Sequence, residues 1–196
     1  MTPLRVLGLA GALAAIAWPF AQAQDVRAIQ AREARRTDER TLAYFEKFRA
    51  ALTAKAGADP LLSMLVFDEQ EAQALVHASR DAGAEHVIYQ QGAWIGTDGR
   101  QLRPWAPEAG AAVARFPLSA VQPSFVRERM NAHRADPQKA TDFLGPVRVG
   151  YFGAPVNKLL LEIQVGSMSA LGLSAVQFDL ATGLKVDVAA ALRKSN

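Results

Sequence analysis

The sequence predicts an α+β protein: antiparallel sheet covered by helices, in two tandem helix-plus-hairpin modules behind an N-terminal helix. Three observations carry this. Residues of the last third of the chain follow a period of two, Leu159, Leu161, Ile163 and Val165 facing one way while Lys158, Glu162 and Gln164 alternate out. Leu42, Phe45, Phe48 and Leu52 recur every three to four residues, the period of a helix with one dry face. Gly and Asp pairs such as Gln91-Gly92, Asp98-Gly99 and Thr182-Gly183 punctuate the alternating runs at hairpin spacing.

In chain order, the first 23 residues have the pattern of a secretory signal peptide. Arg5 is the one charge before Asp25, Val6 to Phe20 is apolar, and Ala21-Gln22-Ala23 offers a signal peptidase its small residues. Cleavage is expected between Ala23 and Gln24. The alternative is a retained anchor, but Val6 to Trp18 would rise only about 20 Å as a helix against a hydrocarbon core of about 30 Å. The chain has no cysteine, which suits an oxidising compartment and excludes disulfides, thiol catalysis and zinc–thiolate sites. The expected location is a bacterial periplasm, with secretion to the medium as the alternative. A net charge of +3 is too small to imply nucleic acid as a partner.

Residues 24–57 read as one helix stopped by Gly57, charged in its first half and amphipathic from Thr41 onward. "LLSMLVF", 61–67, is a short buried run, a strand or a linker under the core. Asp68 with Glu71 resembles a capping box, so a helix is expected over 69–83, with Ala72, Leu75, Val76 and Ser79 inward and a left-handed Gly83 at its end. His86 to Gln91 and the turns that follow read as a meander of two or three strands. Residues 106–120 are loop by composition. Pro123 opens a second helix, with Phe125, Val126, Met130 and His133 on one side, interrupted at Asp136-Pro137. Strands follow around Val147–Tyr151, Leu159–Val165, Ser174–Phe178 and Leu184–Val188. The order helix then hairpins thus occurs twice, over 69–103 and 123–188, which suggests a divergent duplication. The modules would span 58–115 and 116–196.

The chain carries little that reads as chemistry. His77, His86 and His133 include no i, i+4 pair for zinc. Ser167 and Ser169 lack the Gly-x-Ser-x-Gly elbow, and the glycines mark turns rather than a phosphate loop. No enzyme activity, cofactor or metal is expected. Two groups could instead serve a surface. Tyr89, Trp94 and Trp105, interleaved with Arg100 and Arg103, are the candidate contacts for a protein or peptide, with a glycan or lipid headgroup as the other ligands that would suit them. Arg115, Arg127, Arg129 and Arg134 form a second, basic group that reads better as a solvated helix face.

The segment from "FPLSAVQPSFVRERM" to "SAVQFDLATGLKVDV", about residues 116–190, resembles the PepSY-like family of bacterial envelope domains. Its last hairpin carries that family's Asp179-x-x-Thr182-Gly183-x-Lys185-Val186. The resemblance implies a small helix-plus-antiparallel-sheet module that binds in the periplasm or at the cell surface, in some members inhibiting peptidases, and without catalysis. Three functions therefore compete. The first is a non-catalytic envelope module that recognises a protein or peptide at an exposed sheet edge. The second is a carrier of an apolar ligand between sheet and helix, and the third a hydrolase with an unrecognised site, for which the three histidines are the best acid–base candidates.

Overall fold

The computed structural model describes residues 7–79, 82–97, 99–105, 114–166 and 173–193, the side chains of 7–24 and Leu173 excepted. The expected signal-peptide side chains, Asp98, residues 106–113 of the loop expected over 106–120, and the Ser167/Ser169 segment therefore lie outside the described residues. Helix α1 runs Leu7–Ala56 and stops where Gly57 takes φ +100° and donates to the Thr53 carbonyl. Among the described residues, no helix is long and apolar enough to cross a membrane.

The strands are β1 (Leu61–Phe67), β2 (Glu71–His77), β3 (Ala84–Gln90), β4 (Ala93–Ile95), β5 (Phe116–Pro117), β6 (Phe143–Phe152), β7 (Lys158–Gly166), β8 (Leu173–Asp179) and β9 (Lys185–Val186). They form one antiparallel sheet in the order β4-β3-β2-β1-β6-β7-β8-β9, with β5 pairing the start of β1. Helix α2 is Pro123–Arg134 and α3 is Val188–Arg193. The α+β class is as the sequence predicts.

Alternation along each strand sorts the side chains. Leu62, Leu65 and Phe67 of β1, Ala72, Ala74 and Val76 of β2, and Leu161, Ile163 and Val165 of β7 share one buried cluster with Leu42, Phe45, Phe48 and Leu52 of α1 and with Val126 and Met130 of α2. Both helices therefore cover the same face. The opposite face is also partly dry, because the segment after β4 crosses it. Trp105 packs there 6.0 Å from the Phe152 ring, beneath the Arg148 guanidinium. A Cβ on Gly150 would stand 2.8 Å from Met64 Sδ and 3.3 Å from the Trp105 ring, so this crossing needs a glycine.

The helix expected over 69–83 is absent. Asp68 does accept N–H bonds from Gln70 and Glu71, as a cap would, but it closes the tight β1–β2 turn and β2 follows. The chemistry of an Asx turn and of an N-cap is the same, and Leu75, buried on the second dry face, breaks the visible period of two. Gly83 consequently ends no helix, and its φ is not positive. The last strand is also shorter than expected: β9 stops at Val186, and Val188 begins α3 instead of continuing it.

The order helix then hairpins expected over 69–103 does not hold, since 69–83 forms no helix, but the strand pairing has a two-fold relation of its own. The pairing register maps the half beginning with α1 onto the half beginning with α2, about the central Val66–Arg148 pair of β1 and β6. Phe67 then corresponds to Val149, Ala72 to Leu161 and Tyr89 to Phe178, and β3 takes the place of β8 along its whole length. A bulge falls at Leu62/Met64 in β1 and at Leu144/Val147 in β6. Both halves contribute to one sheet with no break between them.

Candidate functional site

The five candidate contact residues do not converge. Tyr89 and Trp94 are register partners on the helix-covered face, where Phe48 lies 6.1 Å and 6.0 Å from their rings. Tyr44 fixes this corner by donating its hydroxyl to the Tyr89 carbonyl, and burial pushes that hydroxyl's pKa up. Arg100, Arg103 and Trp105 belong to the crossing segment on the opposite face. Arg100 is spent on Glu71 at 2.6 Å, and Arg103 bonds Gln101. A period of two puts Tyr89 beside Val87, so the pair had to face α1, whereas no local rule directs the later segment across the sheet.

The basic group is likewise divided. Arg134 is not on a solvated face. It is 2% exposed and grips Asp38 of α1 with two bonds, Nε to Oδ2 at 2.8 Å and Nη2 to Oδ1 at 2.9 Å. Its remaining nitrogen donates to the carbonyls of Ala140 and Asp142. Desolvation raises the Asp38 pKa, against the pull of Arg134. Arg115 donates to the Ser79 and Ala82 carbonyls and holds the β2–β3 turn. Arg129 lies over Phe125 and Phe178 and ties α2 to β8.

Each histidine has a structural bond. His133 bonds Asp142 and His86 bonds Gln73. His77 Nε2 is 2.9 Å from Ser63 Oγ while its Nδ1 is 3.0 Å from the Ala82 carbonyl. That is the order of a nucleophile, base and orienting acceptor. Ser63, however, is 2% exposed and does not line the cavity that His77 borders. A hydroxyl walled off from substrate does no acyl chemistry, so the pair reads as a satisfied polar contact at the β1 bulge. Among the described residues, no group of three or more His, Asp or Glu side chains is placed to hold a metal.

The feature with room for a partner is the outer side of β3. Strand β4 pairs only with Ile88, Tyr89 and Gln90 and leaves the sheet after Ile95. Gln91 and Gly92, both at positive φ, form the two-residue turn that makes Gln90 and Ala93 a hydrogen-bonded pair. Counting back by twos, the main-chain groups of Ala84 and His86 point outward, and among the described residues they have no partner. Beside them opens a groove of about 250 Å³, walled by Leu52, Val76 and Val87 and rimmed by Lys55 and Glu85. Lys55 bridges Glu85 at 3.1 Å and lies 5.5 Å from the Trp94 ring, which is 36% exposed. Sequence reasoning had the aromatic member of this corner but missed the edge, because the signal is how early β4 stops.

Asp179 serves the β8–β9 turn by accepting from Ala181 and holding Lys158 at 2.6 Å. The Lys158 bond is the main reason its pKa is lowered. A depressed carboxylate contributes stability above its unfolded pKa and loses it as pH falls through the folded value. Asp179→Asn is therefore expected to melt below the parent at neutral pH, and the difference should vanish well below pH 3.8, the ordinary value. Thermal unfolding followed by circular dichroism across that range checks it.

No family model, curated protein or solved structure matches this chain.

Proposed function

We propose that this protein is an exported, non-catalytic binding module of the cell envelope that recognises a protein or peptide partner by adding an extended segment to the β3 edge. The observation that supports it is the pair of outward main-chain positions, Ala84 and His86, which have no partner among the described residues and lie beside an apolar groove. The free length, Ala84 to Val87, is four residues, about 13 Å at ~3.3 Å per residue. It offers about four hydrogen bonds at ~1 kcal/mol net each. Association costs at least about 4 kcal/mol, so the backbone alone is insufficient and a side chain must enter the groove. The signal-peptide pattern and the PepSY-like last hairpin point the same way. The carrier reading has less behind it: Phe45 stacked on Phe67 at 4.1 Å, with Phe48 and Leu62 beside them, fills space that a ligand between sheet and helix would need.

The test is a displayed library of strand-forming peptides selected on the parent protein and re-measured on Ala84→Pro and His86→Pro. Proline removes an outward N–H without breaking the β2–β3 ladder, since both positions point away from β2. Selected peptides are expected to lose at least about tenfold in affinity on both variants, with unchanged far-UV circular dichroism. Equal binding to parent and proline variants would overturn the reading.

A further inference from the structure

The groove at the β3 edge carries a charge pattern that the edge alone does not require. Among the described residues Glu85 is the one acidic residue on the rim, its side chain 65% exposed, and it points to the helix-covered side with Val87. The C-terminal turn of α1 ends at the same groove through Lys55 and Ala56. Carbonyls at a helix C-terminus present partial negative charge. Among the described residues Lys55 is the cation at this groove, and it is held between Glu85 and the face of Trp94. An incoming cation can take Glu85 and leave Lys55 on the indole. An incoming anion would have to reach Lys55 past a carboxylate and a helix end of its own sign.

We infer that the β3 edge selects an extended segment with an apolar residue followed, two positions on, by a basic one. This rests on the edge-recognition reading. In an antiparallel addition, the residue opposite Val87 comes first and faces Leu52 and Val76 in the groove. The residue two places later lies opposite Glu85 on the same side of the sheet. Residues between and beyond them face the opposite side, near His86 and Gln73, and are polar. The other half of the molecule provides a contrast: its register equivalent of Glu85 is Ser174, so the β8 edge lacks this selection.

The experiment uses two capped peptides, Thr-Val-Thr-Lys-Thr-Thr and Thr-Val-Thr-Glu-Thr-Thr, titrated to millimolar concentration against the full chain and followed by amide NMR shifts at residues 84–87. The lysine peptide is expected to bind about two- to fivefold more tightly, the scale of one exposed ion pair. High salt should erase the preference, and Glu85→Lys should reverse it. Equal binding of the two peptides, or tighter binding of the glutamate peptide to the parent, overturns the charge selection and leaves edge recognition standing. Absence of shifts from either peptide, or shifts unchanged by Ala84→Pro, removes the edge reading itself.

Discussion

Arg134→Met is expected to cost about 3–5 kcal/mol of folding stability, the range found when one partner of a buried ion pair is deleted. The guanidinium is the hub of three elements: α1 through Asp38, its own α2, and the 135–142 turn through the Ala140 and Asp142 carbonyls. Removing it strands a carboxylate that is 8% exposed and that burial has already pushed toward its neutral form. The loss should therefore depend on pH. Without Arg134 the folded-state pKa of Asp38 lies further above its unfolded value, so the folded protein binds the proton more readily. The deficit is largest at neutral pH and shrinks as the solution is acidified through the raised pKa. Adding Asp38→Leu should recover part of it, because an apolar pair needs no solvation. Urea unfolding of the single and double variants at neutral pH and around pH 4 measures each step. A neutral-pH loss below about 1 kcal/mol, typical of exposed pairs, would mean that the pair is not the fastening between the helices that its geometry suggests.

How much of this was legible in the sequence depends on whether a residue's surroundings are local. The docking face of α1 was: Leu42, Phe45, Phe48 and Leu52 are all buried, as their spacing requires. So were strands β6, β7 and β8, where one face is apolar. Strand β2 was not, since Glu71-Ala72-Gln73-Ala74-Leu75 is made of good helix formers and an Asx turn imitates a cap. What decides it is non-local, namely pairing with β1 and β3 on either side. Arg134 looked solvated for the same reason: its partner, Asp38, lies 96 residues away. The candidate site divides similarly. Tyr89 and Trp94, offered as surface contacts, pack instead on the helix-covered face, and Trp105 reaches the other face by a path that only the fold sets. The β3 edge has no motif at all. It exists because β4 pairs with three residues of β3 and then departs.

Phe45→Ala is the second large effect, expected at about 3–5 kcal/mol. Phe45 is fully buried and lies nearly parallel to Phe67, with 7° between the rings. Phe67 belongs to β1, which with β6 forms the centre of the sheet, so this pair anchors α1 where the two halves meet. A cavity there cannot close cheaply, because the sheet on one side and a long helix on the other are both rigid. Part of the loss belongs to the ring pair itself: a double-mutant cycle with Phe67→Ala should return about 0.5–1.5 kcal/mol of coupling. Phe48→Ala makes the contrast. Phe48 meets Tyr89 and the half-exposed Trp94 near the β3 edge, so its removal should cost comparable stability and also disturb the groove. If edge recognition is right, Phe48→Ala weakens peptide binding at β3 and Phe45→Ala, measured where both variants remain folded, does not. Equal weakening by both would place the binding surface elsewhere on the sheet.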